Sequence, residues 1–236
     1  MARRTKEETE QTRRTILAAA RETFLLRGMT GTTLEHIAKA AGVTRGAIYW
    51  HFAGKKDLFD AMRSQVCLPL IDRTDVTLLA MSRADPLGCV EQFLLGTLGA
   101  VTSCTETRQT FEIMAFKCEY VDEFEKELDE HQRKSGEIVG VLARVYRRAK
   151  STGQLRKGID PTVAAVETLV FLMGLIRLWL LDQKSSIVRD SVQAVIAAHV
   201  DGRRATPAGR AAAANHAPLA ARKRTAKPAA LDRRTA

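Results

Sequence analysis

The sequence carries little that could support covalent, redox or metal chemistry. Its four cysteines, Cys67, Cys89, Cys104 and Cys118, form no CxxC pair and stand at no metal-like spacing from histidine. They are expected to be free buried thiols acting as small hydrophobes; a redox-sensing pair finds no support in their spacing. His36, His51, His131, His199 and His216 are scattered without an HExxH, and neither a Walker A nor a dinucleotide glycine loop is present. The acidic run Asp122, Glu123, Glu125, Glu127, Asp129 and Glu130 interleaves with Lys126 and Arg133, as a solvated helix face would. An enzyme is therefore not expected, and neither is a cofactor or a metal. Long hydrophobic runs are missing as well. The N-terminus is charged from Arg3 onward with no apolar h-region, so no secretory signal is expected. The stretch Leu169 to Ile176 is cut off by Arg177 and is too short to span a bilayer. A cytoplasmic protein without a membrane partner follows as the expectation.

The charge distribution is informative once it is divided. Of the 236 residues, positions 1–60 hold 11 basic and 7 acidic side chains, 61–201 hold 17 and 19, and 202–236 hold 9 and 1. Most of the net +10 thus belongs to the last 35 residues. After Gly202 the composition turns to Ala, Arg, Lys, Pro and Thr with almost no large apolar residue. Such a segment cannot bury enough surface to offset its ordering entropy, so 202–236 is expected to be a disordered basic tail. It reads either as an arm adding non-specific DNA affinity or as a neutral extension.

Residues Thr33 to Phe52, TLEHIAKAAGVTRGAIYWHF, carry the strongest signal. Leu34, Ile37, Ala38 and Ala41 recur at helical spacing. Thr32 with Glu35 three positions on has the spacing of a capping box. Gly42 falls where a helix must end in a sharp turn, because without a Cβ it takes a left-handed conformation cheaply. Val43 plugs the turn, Thr44 caps the next helix, and Ile48 returns to the core. The exposed face of that second helix holds Arg45, Gly46, Tyr49, Trp50 and His51. An ordinary helix-glycine-helix corner would show Lys, Glu and Gln outward. Arg pairs bidentately with guanine edges, whereas Tyr and His bond phosphates or touch thymine methyls. The segment therefore reads as a DNA-binding helix-turn-helix.

On these residues the chain resembles the TetR family of bacterial transcriptional regulators, and most closely its repressors of multidrug efflux pumps. The resemblance covers MARRTKEETEQTRRTILAAARETF and GTTLEHIAKAAGVTRGAIYWHFAGKKDLF. It continues more weakly at Asp85-Pro86-Leu87-Gly88-Cys89, at Lys117-Cys118-Glu119-Tyr120, and at Gly174-Leu175-Ile176-Arg177 followed by Trp179-Leu180-Leu181. It implies an all-α fold: an N-terminal three-helix helix-turn-helix domain over 1–54, and a larger helical ligand-binding and dimerisation domain over 55–201.

Periodicity fills in the helices. Thr5 and Glu8 form a capping box for a first helix that buries Ile16, Leu17, Ala20, Phe24 and Leu25 and ends at Gly28. A helix from Lys55 buries Leu58, Phe59, Met62 and Val66, and Pro69 is expected to interrupt or kink it. Asp85-Pro86 opens a helix to about Val101, and others cover Glu106–Lys117 and Asp122–Ser151, the last closed near Gly153. Asp160-Pro161 opens a helix that is apolar on nearly every side from 169 to 181, hence buried on two faces. A second subunit is the economical partner for one of them. With the helix through Val188, Val192, Val195, Ile196 and Val200 it is expected to build a homodimeric four-helix bundle.

Site residues follow. Arg45, Tyr49 and His51 are expected to read or clamp the major groove of a double-stranded inverted-repeat operator. Thr33, Thr44 and Lys55 would hold phosphates, and Gly46 and Trp50 would shape the approach. The resemblance implies a lipophilic small-molecule inducer in the larger domain. Its apolar lining would come from Val66, Phe93, Leu94, Phe111, Met114, Ile138, Leu142, Leu169, Leu172, Met173 and Ile176. Thr97, Ser135 and Arg177 would supply sparse polar groups. Such a surface suits loose recognition of varied lipophilic compounds. The rival reading is a global or architectural DNA-binding regulator without small-molecule induction.

Overall fold

The computed structural model describes residues 5–73, 84–119, 125–181 and 187–206. Within them the chain forms α1 (Lys6–Arg27), α2 (Leu34–Ala41), α3 (Arg45–His51), α4 (Lys55–Arg73), α5 (Pro86–Ser103), α6 (Thr105–Phe116), α7 (Glu125–Ser151), α8 (Pro161–Leu181) and α9 (Ile187–Asp201). No strand occurs among the described residues beyond one isolated antiparallel bridge, Leu155 to Arg204. The all-α expectation holds.

The N-terminal unit starts where the sequence asks it to. The Thr5 hydroxyl accepts from the Glu8 backbone N–H at 3.2 Å, and the Glu8 carboxylate accepts from the Thr5 N–H at 2.8 Å. The cap of α2 differs from the expectation by one residue. It is Thr33, which accepts from the His36 N–H at 3.2 Å, while His36 Nδ1 accepts from the Thr33 N–H at 3.3 Å. Imidazole thus takes the place that Glu or Gln usually holds. Thr32 is buried instead and donates to the Gly28 carbonyl at 2.7 Å. Gly42 closes α2 in the left-handed region, at φ 65° and ψ 30°.

Ile16, Phe24, Met29, Ile37, Ile48 and Phe52 share one core with Leu58, Phe59 and Met62 of α4. Each such side chain contributes about 1.5–3 kcal/mol of burial. The first half of α4 therefore packs as part of this unit, past the expected boundary at residue 54. The helix also runs through Pro69 to Arg73 without the expected interruption; one missing N–H donor does not end a helix whose other bonds persist.

The larger core gathers α5, α7, α8 and α9. Asp85 caps α5 by accepting from the Gly88 N–H at 2.9 Å. Its carboxylate occupies the space a Cβ on residue 88 would need, with one oxygen only 2.2 Å from that position. Tyr146 of α7 is fully buried, and its hydroxyl lies 2.7 Å from the Thr168 hydroxyl of α8. By length and composition α8 would also suit a bilayer. Here it buries Ala164, Thr168, Leu172, Ile176 and Trp179 and leaves Val163, Val166, Val170 and Leu181 exposed. Val163, Val166 and Val170 follow at spacings of three and four, and Leu181 falls on the same side about three turns on, an apolar stripe along one helix face.

The chain stays ordered past the expected end at 201. Arg156 N–H donates to the Arg203 carbonyl at 2.8 Å, and Ala205 N–H donates to the Gln154 carbonyl at 2.7 Å. Backbone pairing with the α7–α8 turn thus holds residues 203–205, where composition alone suggested a tail. Residues 207–236 lie outside the described part. Cys89, Cys104 and Cys118 are free thiols, and the Cys67 side chain falls outside the described residues.

Candidate DNA interface and ligand-sensing domain

The expected DNA-facing surface is built on the seven residues of α3. Thr44 caps it, accepting from the Ala47 N–H at 3.2 Å, which leaves the Thr44 hydroxyl proton free to donate outward. Thr33 caps α2 in the same way. Arg45 is solvent-exposed and donates to the Tyr49 hydroxyl at 3.0 Å, with its guanidinium 5.5 Å from the ring centroid. The Tyr49 hydrogen bond pushes the Arg45 pKa up, so its charge is secure. Trp50 is 74 % exposed and so is not packed between helices. Its ring meets His51 edge-on at 5.1 Å. A Cβ at Gly46 would meet only the Thr44 hydroxyl, at 3.8 Å. Nothing inside the protein demands glycine there.

Lys55 stands apart from the other phosphate candidates. Its ammonium donates to the Met29 carbonyl at 3.1 Å in a partly buried setting. Lys56 pairs with Asp60 at 2.7 Å. The start of α4 is thereby fastened to the α1–α2 loop.

The ligand candidates divide on the structure. Leu94, Leu142, Leu172 and Ile176 are buried in the larger core, and Phe93, Phe111 and Ile138 pack against it partly exposed. Val66 and Thr97 are buried; Leu169 and Ser135 are half-buried. Two others leave this group. Met114 packs against the N-terminal core, and Met173 is exposed at 37 % on the outer side of α8. Arg177 turns to α6: it donates to the Ala115 carbonyl at 3.0 Å, and its guanidinium lies 4.6 Å from the Phe116 ring centroid.

That contact belongs to a bridge between the two cores that sequence reasoning missed. Ile113 of α6 is fully buried in the N-terminal core. Just beyond α6, the Lys117 carbonyl accepts from the Met29 N–H at 2.9 Å. Met29 thus bonds α6 through its N–H and Lys55 of α4 through its carbonyl. These partners are far apart in sequence, and backbone groups carry no residue-type signal. Arg21 of α1 is buried near the other end of α6; its guanidinium reaches Gln65 of α4 at 3.5 Å, and burial lowers its pKa.

A second polar cluster lies between α7, α8 and α9. The Thr168 hydroxyl donates to the Ala164 carbonyl at 2.8 Å, so Tyr146 and His199 must both donate to it. His199 therefore carries its proton on Nε2. Its ring stacks on Phe171 at 4.0 Å. Burial, helped by the nearby Arg203 charge, lowers its pKa to about 4. Among the described residues no group of three or more His, Cys, Asp or Glu side chains could hold a metal ion.

Residues 16–62 match the bacterial regulatory proteins of the tetR family, and residues 85–202 match the C-terminal region of MAATS-type transcriptional repressors. The HTH-type transcriptional regulator TtgR of Pseudomonas putida is 36 % identical over 212 residues, covering 88 % of this chain and 99 % of that protein. AcrR of Shigella flexneri is 32 % identical over 185 residues, 78 % of this chain and 86 % of its own length. Among solved structures, NalD, the secondary repressor of the MexAB-OprM multidrug efflux pump in Pseudomonas aeruginosa, superposes with a TM-score of 0.73 at 28 % identity, over 83 % of this chain and 98 % of that one. The SmeT–triclosan complex follows at 0.69 and 25 %, over 82 % and 92 %.

Proposed function

Because the chain belongs to the TetR family of bacterial regulatory proteins, we propose that it is a cytoplasmic homodimeric repressor of a multidrug efflux operon, released from its operator by lipophilic compounds. The observation that carries this reading is the exposed Arg45–Tyr49–Trp50 face of α3, capped by Thr44 and joined through Met29 to a larger apolar core. Arg45, Tyr49 and His51 read the major groove, and the Thr33 and Thr44 hydroxyls donate to flanking phosphates. Gly46 and Trp50 shape the approach. Lys55 positions α4 through Met29 and adds its charge to the phosphate field.

The apolar stripe of Val163, Val166, Val170 and Leu181 on α8, with Val195 of α9, is the surface that a second subunit covers. A twofold dimer places two copies of α3 on an inverted repeat, with half-site spacing set by the distance between them. The inducer occupies the apolar interior around Phe93, Leu94, Phe111, Ile138, Leu142, Leu172 and Ile176. It releases DNA only if it binds the DNA-incompetent form better. The bridge of Arg177, α6, Met29 and Lys55 carries that preference to α4 and so to the separation of the recognition helices.

Titrating the protein into labelled DNA from upstream of its own gene, beside a scrambled duplex at near-physiological salt, tests the reading. A preference of about a thousandfold or more, reversed by lipophilic drugs, supports it. Equal, strongly salt-dependent binding to both duplexes would point to an architectural DNA-binding protein instead.

A further inference from the structure

The α7–α8 turn and the returning chain at 203–206 enclose a cleft of about 360 Å³ at the end of the larger domain. Its floor is apolar. Leu155 and Ala205 are buried, and Ile159 packs half-buried against the core. Its rim holds Lys150, Arg156 and Lys157, and no carboxylate is among its lining side chains. Neither Arg156 nor Lys157 forms a side-chain ion pair among the described residues. Asp160 and Glu167, which line the adjoining cleft with Arg156, are already engaged: Asp160 accepts from the Thr162 and Val163 N–H groups at 2.8 and 3.0 Å with Lys150 and Arg147 nearby, and Glu167 pairs with Arg203 at 2.8 Å. The walls are held in place. Leu155 pairs with Arg204, and the Gln154 and Leu155 N–H groups both donate to the Ala149 carbonyl, at 2.8 and 3.1 Å.

Three cations gathered at this place need an explanation other than the operator. Arg177, near the C-terminal end of α8, touches the helix that meets the DNA-binding unit. The cleft lies at the N-terminal end of α8, about 24 Å farther along the axis. Cations there sit well beyond the ~8–10 Å range over which exposed charges are felt at ordinary salt. The chain's own last thirty residues do not suit the cleft either. Positions 207–236 hold 7 basic side chains and 1 acidic one, so the rim repels them.

We propose that this cleft is a second ligand site, separate from the lipophilic interior, for a small aromatic carboxylate. The ring lies on Leu155, Ile159 and Ala205, and the carboxylate meets the Arg156 guanidinium and the Lys157 ammonium. A guanidinium offers a carboxylate two parallel N–H donors, and an apolar floor excludes water from one side of the pair. The volume lies within the ordinary range for small-molecule pockets.

The test uses the full-length chain with labelled Ile, Leu and Val methyl groups, titrated with 2-naphthoate and with its neutral isostere 2-naphthamide. The Leu155 and Ile159 methyl resonances should shift saturably with the carboxylate and not with the amide. R156Q/K157Q should raise the midpoint at those two methyls about tenfold, the loss expected for a charge-assisted pair. The Leu142 and Ile176 methyls report the interior, and their response should be the same in the variant and the parent. An equal shift with 2-naphthamide would overturn the proposal, as would an unchanged midpoint in the variant or movement of the interior methyls alone. None of these outcomes depends on operator binding.

Discussion

Arg45 and Tyr49 form a pair one helical turn apart, with the guanidinium donating to the phenol oxygen at 3.0 Å and lying over the same ring. The contact holds a long, otherwise free side chain in one orientation on the exposed face of α3. Less rotamer entropy is then lost when Arg45 meets a base edge. Arg45→Ala should weaken specific operator binding by about 1–3 kcal/mol. Tyr49→Phe keeps the ring and removes one hydrogen bond, so its cost should be about 0.5–1.5 kcal/mol. Titrations against operator and scrambled duplexes check both; unchanged specific affinity for Arg45→Ala would remove it from the base-reading set.

Arg177 joins α8 to the last turn of α6. If that joint transmits induction, Arg177→Met should leave operator affinity and inducer affinity for the free protein near their parent values. The coupling between them, typically about 1–3 kcal/mol, should shrink toward zero. Measuring inducer affinity with and without operator gives the coupling directly. Loss of inducer binding itself would instead assign Arg177 to the pocket wall.

His199 makes stability depend on pH in a defined window. Its folded pKa of about 4 lies below the ordinary histidine value near 6.5. Between these values the unfolded chain binds a proton that the folded chain refuses. The His199 contribution is therefore complete above about pH 6.5 and declines as pH falls toward 4. Its ceiling is about 3 kcal/mol, lowered by the solvent that reaches a half-buried ring. His199→Phe keeps the stack on Phe171 and removes the titration. Urea unfolding at several pH values should show a shallower decline across this window in the variant than in the parent.

The exposed stripe on α8 should be the subunit interface. Val166→Glu combined with Val170→Glu places two charges where apolar surface has to be covered, and a buried unpaired charge costs several kcal/mol. Sedimentation should show a monomer. Operator affinity should fall with it, because one α3 would then contact a single half-site. A double variant that stays dimeric would place the interface elsewhere.

Much of the fold was legible because its signals are local. The caps at Thr5, Thr44, Asp85 and Asp160 and the turn at Gly42 each depend on residues within three or four positions. The one error of register shows the limit of such signals. Thr32 and Thr33 stand side by side with Glu35 and His36 at matching offsets, and either pair satisfies the pattern. Burial of Thr32 against the Gly28 carbonyl decided between them. The exposed chemistry of α3 was readable for the same reason, since one short helix holds all of it.

Contacts between distant segments were not legible. The sequence by itself determined an all-α regulator with a helix-turn-helix and an apolar, two-faced α8, because hydrophobic period and capping residues act over a single turn. Only the tertiary structure decided that Met114 leaves the larger core for the smaller one and that Arg177 grips α6. It alone tied Met29 to both Lys117 and Lys55, and Arg203 to Arg156. Those outcomes depend on which helices abut. Backbone donors and acceptors are the same at every residue, so packing rather than residue type selects their partners.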